Sequence, residues 1–428
     1  MKYSLKYGSN TLEFILPEQN VLHFINVKQI DAKRENRDVL QEALKNPVAA
    51  PALQSAVKKQ KLTLLVEDAT RDVAIEDILA VLVPHLKNAA SVTVIICSGT
   101  HDPNLPANQR IKDALQSAFA AQGIRNNKIL VNDSRNGEFD EYGITTIGNR
   151  VLVNRAVNET EVFLTLSDMK NHYFAGYSCA VKNYLPGICA YESTEYNHAL
   201  ALLDEATFGQ HPWHPEPDRR TNPVAADMVE AFHMIVGKRP AYALATIEKT
   251  HQILWAQFGD LKQVTQNGIV QVDHLMSQKI TPADLLIVSS GGYPNDESIY
   301  TAQRALDLSK DAVKPGGKIL FLAECRNGIS PCSAKKNFFD ILAQPLSEVL
   351  KLPRKKYLLY SHKAYKLARL IQRVAVIGVH TKLSPEEVET IHLKYVTDPA
   401  QFVRDALQEN PQLTINLVND GNKIALLH

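Results

Sequence analysis

Excess charge of one sign, long apolar runs and paired cysteines are all missing from this 428-residue sequence. Its 47 lysines and arginines against 46 aspartates and glutamates leave a net charge of +1, so the basic surface of a nucleic-acid-binding protein is not expected. No apolar run approaches the ~18 residues that indicate a membrane span, and the polar N-terminus lacks the apolar stretch of a signal peptide. We therefore expect a cytoplasmic protein whose partner is a small molecule, with no nucleic-acid or membrane partner.

The five cysteines are odd in number and scattered, and none forms a CxxC pair. This pattern argues against a disulfide framework and against a structural zinc site, so we expect reduced thiols. A hydrophobic content of 45% over this length is enough for two or three well-packed domains.

Short apolar runs rich in branched residues alternate with segments of helical period. The runs are LTLLV before Glu67, SVTVIIC to Cys97, KILV before Asn132, VFLTL before Ser167, DLLIVS near Ser289, KILFLA before Glu324 and VAVIGV to Val379. This alternation predicts an α/β fold with parallel or mixed sheets flanked by helices. A weak boundary near 267–282 indicates an N-terminal domain, residues 1–276, and a C-terminal domain, residues 277–428. The final LTINLVND could join either sheet.

Polar side chains follow directly after these runs. In the first domain they lie in the segments 67–71, 98–101 and 167–172, and in the second domain in the glycine-rich segment 290–294. Ligands of open parallel sheets bind beyond the carboxyl ends of the strands. We therefore expect an active site in the cleft between the two domains.

The densest group of reactive residues lies between His172 and Ala199. It contains His172, Lys182 and His198, and its glycines and Pro186 predict a loop followed by a helix that begins near Ser193 as N-cap. Histidine supplies a metal ligand or a proton acceptor near neutral pH. A lysine in a dry pocket can act as a nucleophile.

Several motifs together resemble the lactate racemase family. They are DATR at 68–71, GTH at 99–101, the HYFAGYS…K…PGI segment, NP at 222–223 and GGYP…D…Y at 291–300. The likeness runs in order from Leu62 to Gly328. Members of this family carry a nickel-pincer nucleotide, a nickel mononucleotide derived from pyridinium in which two sulfurs and a ring carbon hold the metal.

The resemblance implies a role for individual residues. The implied roles are Lys182 as the covalent tether of the cofactor, His198 as the nickel ligand, His101 and His172 as general bases on opposite sides of the substrate, Asp68, Thr70, Arg71, Ser178 and Tyr293 as cofactor contacts, and Arg71, Thr301 and Arg304 as substrate contacts.

The resemblance also implies an activity, that of an isomerase. The enzyme would be a racemase or epimerase that inverts C2 of a 2-hydroxy acid through reversible hydride transfer to the cofactor. Removing the C2 hydrogen as a proton would place a second negative charge beside the carboxylate, which hydride removal avoids. The enzymes that build the cofactor would be further partners.

The sequence departs from the family pattern near the substrate. The departures are Thr301 and Arg304 where glutamine and lysine are usual, Cys179-Ala180 in place of paired glycines, Asp102 in place of arginine, and an inserted HPWHPEPDRR at 211–220. Arginine is a planar fork and lysine a point charge, so the exchange changes a carboxylate site. We therefore expect a substrate larger or more polar than lactate, such as a sugar acid.

Alternatives remain for the function and for two segments. The chain could be a zinc-dependent hydrolase or lyase that uses His172, His198 and His211, or a non-catalytic relative that binds a hydroxy acid or a nucleotide. The insertion could be a substrate-facing lid, with Trp213 and Arg219 over the acid, or a plain surface loop. The basic residues Arg354, Lys355, Lys356, Lys363, Lys366 and Arg369 indicate a solvated helix face.

Overall fold

The computed structural model describes residues 1–27, 34–71, 73–330, 332–352 and 357–427, without the side chains of 332–336. The chain forms two compact units. The mid-chain unit is Ile30–Asp273, and the terminal unit joins Met1–Gln29 to His274–His428.

This division differs from the expected 1–276 and 277–428 at the N-terminus, which groups with the C-terminal part of the chain. Val21–Ile25 is an edge strand of the sheet in that part. Leu5 and Phe14 pack in its core beside Leu320. The sequence of a strand does not state which sheet it will join, because strand preference depends on the neighbours that it packs against.

The strands alternate with helices along much of the chain. The strands are β1 (Lys2–Tyr7), β2 (Asn10–Ile15), β3 (Val21–Ile25), β4 (Lys61–Glu67), β5 (Ser91–Cys97), β6 (Asn127–Val131), β7 (Phe139–Ile144), β8 (Arg150–Asn154), β9 (Val162–Asp168), β10 (Lys170–His172), β11 (Gly176–Ser178), β12 (Ala241–Lys249), β13 (Gln252–Asp260), β14 (Ser277–Lys279), β15 (Ala283–Ser289), β16 (Val313–Leu322), β17 (Val376–His380), β18 (Lys394–Tyr395), β19 (Ile415–Val418) and β20 (Ala425–Leu427).

The helices are α1 (Asn36–Lys45), α2 (Leu53–Ala56), α3 (Ile75–Leu82), α4 (Pro106–Ala121), α5 (Tyr191–Ala199), α6 (Pro223–Val236), α7 (Leu261–Met276), α8 (Ile299–Ala302), α9 (Arg304–Ser309), α10 (Cys332–Leu342), α11 (Leu346–Val349), α12 (Ser361–Arg373), α13 (Pro385–Thr390) and α14 (Pro399–Glu409). None of the described helices is both long and apolar enough to cross a bilayer.

The mid-chain unit is built on a sheet with the strand order β13-β12-β9-β4-β5-β6. Its strands are parallel except β13, which is antiparallel to β12. Leu64 of β4, Ile78 of α3 and Leu115 of α4 share one core. The sheet is thus covered by helices, as its apolar strands require.

The terminal unit has an all-parallel sheet with the order β18-β17-β16-β15-β19-β3. The predicted α/β class is confirmed, and each of the seven apolar runs forms a strand. LTINLVND gives β19, which lies between β15 and β3 in this sheet. That position is set by tertiary pairing, which the sequence left open.

Candidate active site in the mid-chain unit

The predicted site residues of the mid-chain unit follow three adjacent strands. β9, β4 and β5 are neighbours and run parallel, so their carboxyl ends lie at one edge of the sheet. Asp68 follows β4, His101 follows β5, and the β10–β11 hairpin with His172 follows β9. Parallel pairing therefore gathers side chains that are far apart in sequence.

His101 is held through one ring nitrogen by a carboxylate. Its Nδ1 lies 2.8 Å from Oδ2 of Asp68, whose Oδ1 accepts a 2.6 Å hydrogen bond from the Thr70 hydroxyl. Burial raises the pKa of Asp68, but the bonds from His101 and Thr70 outweigh it and lower that pKa below its ordinary value. An ionised carboxylate only accepts hydrogen bonds. It fixes the proton of the neutral imidazole on Nδ1 and leaves the Nε2 lone pair available.

His172 has the opposite arrangement of its proton. It pairs with Gly176 across the β10–β11 hairpin, and its Nδ1 accepts a 3.2 Å hydrogen bond from the Ala175 N–H. A main-chain N–H can only donate, so the proton of the neutral ring is on Nε2. That nitrogen lies 3.5 Å from Nζ of Lys182.

Lys182 and His198 are buried beside a shared aromatic ring. Lys182 lies on the 3-10 turn Ala180–Asn183, and His198 lies in the last turn of α5. Nζ of Lys182 is 5.9 Å from the ring centre of Phe174, and the His198 ring is 5.1 Å from the same centre. The structure therefore brings together the amine and the imidazole that the sequence singled out. Phe174, which sequence reasoning passed over, stands within the HYF motif.

The predicted helix that carries His198 is confirmed, but Ser193 is not its N-cap. α5 begins at Tyr191, after Ala190 in extended conformation. Ser193 is inside the helix, where its hydroxyl donates to the carbonyl of Arg150 and accepts from the N–H of Leu152. A long-range bond to β8 thus replaces the capping role that local sequence suggested for this serine.

The cluster fits a metal that arrives with donors of its own. Within the described residues, no group of three or more His, Cys, Asp or Glu side chains is placed to hold a bare ion. Burial, with the charges of Lys182 and His101, lowers the pKa of His198 to about 3, so its imidazole is neutral, as a ligand must be. Among the described atoms, the buried Oγ of Ser178 lacks a hydrogen-bond partner. One imidazole, one buried amine and one unsatisfied hydroxyl match the needs of a tethered metal nucleotide.

A layer of carboxylates lies at the same strand ends. Oε2 of Glu67 accepts a 3.2 Å hydrogen bond from the Asp168 N–H, and Lys170 pairs with the Asp168 carboxylate. Burial and the charge of Asp168 raise the pKa of Glu67 to about 7. Sequence reasoning placed these residues in the polar segments that follow the strands but gave none of them an individual role.

Of the other predicted contacts, Tyr293, Thr301 and Arg304 lie in the terminal unit and Arg71 lies in the mid-chain unit. Tyr293 follows β15, donates its N–H to the carbonyl of Gly8 at 2.8 Å, and lies with its half-exposed ring 4.6 Å from the guanidinium of Arg326. Thr301 belongs to α8, and Arg304 begins α9. Arg71, in the mid-chain unit, donates its N–H to the carbonyl of Asp68 at 3.0 Å.

The expectation of a solvated basic helix face is wrong for part of α12. Lys363 is 6% exposed, donates a 2.6 Å hydrogen bond to the carbonyl of Tyr300 and lies 4.2 Å from the centre of that ring. Burial lowers the pKa of Lys363 and of Lys366 to about 8. Only Arg369 is exposed as expected. Residues 354–356 lie outside the described part of the chain.

The insertion at 211–220 is neither a lid nor a wholly exposed loop. His211, Trp213 and His214 are buried, and the Trp213 ring packs 5.7 Å from that of Phe232. Arg219 pairs with Asp273, so it does not reach out over a substrate. The three histidines of the zinc alternative, at 172, 198 and 211, do not form a ligand group in the described structure.

Comparison with known proteins gives the family. The model of the lactate racemase N-terminal domain matches residues 7–209, and that of the lactate racemase C-terminal domain matches residues 278–425. The chain belongs to the lactate racemase family. It is accordingly an enzyme of the isomerase class.

Full-length relatives agree with the family match. The lactate racemase of Thermoanaerobacterium thermosaccharolyticum is 26% identical over 434 residues, covering 99% of this chain and 96% of the relative. The lactate racemase of Lactiplantibacillus plantarum is 22% identical over 402 residues, covering 91% and 90%.

Solved structures share the fold. The lactate racemase apoprotein from T. thermosaccharolyticum superposes with a TM-score of 0.85 at 23% identity and covers 100% of both chains. A protein from Thermotoga maritima gives a TM-score of 0.57 at 13% identity, covering 91% of this chain and 97% of its own.

Proposed function

We propose that the chain inverts C2 of a 2-hydroxy acid by reversible hydride transfer, with a nickel-pincer nucleotide attached to Lys182. The relatives named lactate racemases support a racemase of lactate-type hydroxy acids. The observation that carries the finer proposal is the grouping of Lys182 and His198 with His101 and His172, two histidines whose contacts favour the ring proton on different nitrogens.

His101 is the base in one direction of the reaction. Its Nε2 lone pair accepts the substrate hydroxyl proton while the C2 hydrogen leaves with both bonding electrons. The imidazolium that forms is stabilised by the Asp68 carboxylate 2.8 Å from Nδ1. The product of this half-reaction is a planar 2-keto acid, without a second charge beside the carboxylate.

His172 supplies the proton in the return half-reaction. The ring is an imidazolium at this step, because a neutral imidazole that gave up its last N–H proton would become an anion. In that form Nδ1 also carries a proton, so the hydrogen bond from the Ala175 N–H is given up. The imidazolium donates its Nε2 proton to the oxygen of the keto acid and becomes neutral. After one inversion His101 is the imidazolium and His172 is the neutral ring. The reverse inversion therefore uses the same two residues with their roles exchanged, as a racemase requires.

Lys182, His198 and Ser178 are the residues that hold the cofactor in this proposal, with Asp68, Thr70, Arg71 and Tyr293 as further contacts. When bound, the cofactor supplies an acceptor for the C2 hydride that can return it to either face of the planar keto acid. A neutral imidazole suits a nickel centre that also has soft sulfur donors.

The substrate carboxylate is assigned to Arg71, Thr301 and Arg304. A guanidinium can bind a carboxylate through two parallel hydrogen bonds, which an ammonium cannot. With Arg304 and Thr301 in place of the usual pair, a substrate larger or more polar than lactate remains our proposal. The cleft between the two domains also stays a prediction.

The cell compartment and the partners follow from the same chemistry. Among the described cysteines, Cys97, Cys179, Cys189 and Cys325 are free and buried, which is consistent with a reducing compartment. We therefore propose a cytoplasmic enzyme whose cofactor is made by dedicated biosynthetic enzymes in the same cell.

The test is to produce the protein together with the cofactor-building enzymes. We expect extra mass on the Lys182 peptide, stoichiometric nickel, and inversion of a 2-hydroxy acid in D2O without deuterium entering C2, because a hydride is returned and not exchanged. Lys182→Arg should abolish both the adduct and the activity. Stoichiometric zinc without an adduct, or deuterium at C2 during turnover, would contradict the proposal.

A further inference from the structure

The residues directly before the segment 211–220 pack against β11, the strand that precedes Lys182. Gly176 of β11 has a positive φ, and a Cβ there would collide with the carbonyl of Gln210. Gly209 donates its N–H to the carbonyl of Gly176 at 3.4 Å. Backbone therefore packs directly on backbone at this point, which only glycine allows.

Asp273, on α7, is the centre of a partly buried network that reaches the same strand. It accepts hydrogen bonds from the Tyr177 hydroxyl at 2.7 Å and from His214 Nε2 at 3.3 Å, and it forms an ion pair with Arg219 at 2.6 Å. Burial raises the pKa of Asp273, but these three partners outweigh it and lower the pKa below its ordinary value. The carboxylate is therefore ionised, and both of its oxygens have hydrogen-bond or ion-pair partners.

Arg219 closes the network into a triangle. One end of its guanidinium bonds Asp273, and the other donates to the Tyr177 hydroxyl at 2.6 Å. Its Nε donates to the carbonyl of Gly209 at 2.8 Å. The planar fork of arginine is needed for this, because an ammonium cannot hold three partners in one plane.

Tyr177 connects the network to the reacting groups. It lies at the centre of β11, opposite Asn171 of β10, while His172 pairs with Gly176. The turn that bears Lys182 begins two residues after β11 ends. The β10–β11 hairpin has only three residues in each strand, too few to be rigid without outside support.

We propose that Arg219 and Asp273 are positioning residues that anchor Tyr177 and so hold His172 and the approach to Lys182 in their working places. The insertion is then a brace for the catalytic hairpin. A displacement of about 1 Å at a reacting group can cost about 100-fold in rate, so a brace of this kind affects turnover without touching substrate. The effect on turnover rests on the proposed function, whereas the effect on the hairpin does not.

The first measurement is amide hydrogen exchange of the cofactor-free protein over residues 170–182. We expect Arg219→Met and Tyr177→Phe to raise the exchange rate about 10-fold or more. Opening the hairpin would cost less free energy in these variants, because the hydrogen bonds among Tyr177, Arg219 and Asp273 would already be missing. Arg220→Met is the matched control, because Arg220 donates only to the carbonyls of His214 and Pro215 in the described network. Tyr177→Phe retains the ring and is informative if Arg219→Met does not fold.

The second measurement is kinetic and uses the loaded enzyme. We expect Arg219→Met and Tyr177→Phe to lower kcat about 10-fold or more with KM within about twofold, and to slow the appearance of the Lys182 adduct. Arg239→Met controls for general loss of stability, because Arg239 bonds the carbonyls of Val157 and Thr160 away from the hairpin. It should lower Tm and leave kcat unchanged.

Equal exchange of the hairpin in Arg219→Met, Tyr177→Phe and Arg220→Met would overturn the proposal. The proposal would also be overturned if Arg239→Met lowered kcat as much as Arg219→Met or Tyr177→Phe does for the same fall in Tm. A wild-type enzyme without racemase activity would count against the proposed function, and the exchange measurement would still decide whether the brace exists.

Discussion

The two units have similar sheets but opposite electrostatics where their strands end. In the terminal unit, Glu324 follows β16 and is paired with Lys382 at 2.8 Å and with Arg326 at 2.6 Å. The hydrogen bond from Lys382, reinforced by Arg326, lowers the pKa of Glu324. In the mid-chain unit, Glu67 ends β4 beside the Asp168 carboxylate, and burial and that neighbour raise its pKa to about 7.

Glu324 has two cations and its ionised form contributes to stability. Glu67 and His198 have pKa values shifted in the direction that disfavours their charged forms, and such perturbed groups concentrate at functional sites. The comparison predicts that substitutions at the mid-chain edge reduce catalysis and that matched substitutions in the terminal unit do not.

The largest effect is expected from His101→Gln. Removing a general base should lower kcat of the loaded enzyme about 100- to 10,000-fold, while the Lys182 adduct still forms. The matched control is His380→Gln, which replaces a strand-end histidine of the terminal unit whose Nδ1 lies 3.0 Å from the carbonyl of Val396. If both variants lost activity equally, the assignment of chemistry to the mid-chain edge would be wrong.

An intermediate effect is expected from Asp68→Asn. The amide can donate to Nδ1 of His101, which would move the ring proton to Nε2 and block the base in part of the population. We expect kcat to fall about 10- to 100-fold, less than on loss of the imidazole itself. Steady-state kinetics measure this, with adduct mass as the check on loading. An unchanged kcat would show that the carboxylate does not set the tautomer.

The smallest effects are on stability, and they have opposite signs in the two units. Because the folded-state pKa of Glu67 is raised to about 7, ionising it destabilises the fold as the pH rises from about 4.5 to 7. Glu67→Gln should therefore raise Tm by a few degrees at pH 8 and by little at pH 4. Thermal unfolding at the two pH values measures it, and a Tm gain that did not grow with pH would contradict the raised pKa.

Asp284 of the terminal unit is the counterpart. Partial burial raises its pKa, but hydrogen bonds from Lys314 and Thr414 outweigh this and lower it to about 2. A depressed pKa contributes stability that is present above about pH 4 and is lost as the pH falls through 2. Asp284→Asn should lower Tm by one or two degrees at pH 7, and the difference should vanish near pH 2. The effect is small because the side chain is partly exposed to solvent.

Sequence reasoning succeeded where the signal was local. Runs of branched apolar residues predicted seven of the strands, and the structure confirms them. The residues after those runs included Asp68, His101 and His172, whose catalytic roles stay a prediction. Sequence reasoning failed where a long-range contact decided the outcome. The Ser193 hydroxyl donates to the carbonyl of Arg150 and does not cap the start of its own helix. Lys363 is buried and donates to the carbonyl of Tyr300, although the basic residues around it in the sequence indicated an exposed helix face.

The sequence by itself determined the α/β class, seven of the strands and the residue types of the candidate site, because these follow from periodicity and from which side chains come after buried strands. Only the tertiary structure decided which strands are neighbours, which nitrogen of each histidine carries the proton, and that the inserted segment bonds Tyr177 and Asp273. Those properties depend on atoms that sheet pairing and packing bring within about 3 Å of one another, and the order of residues in the sequence does not specify such distances.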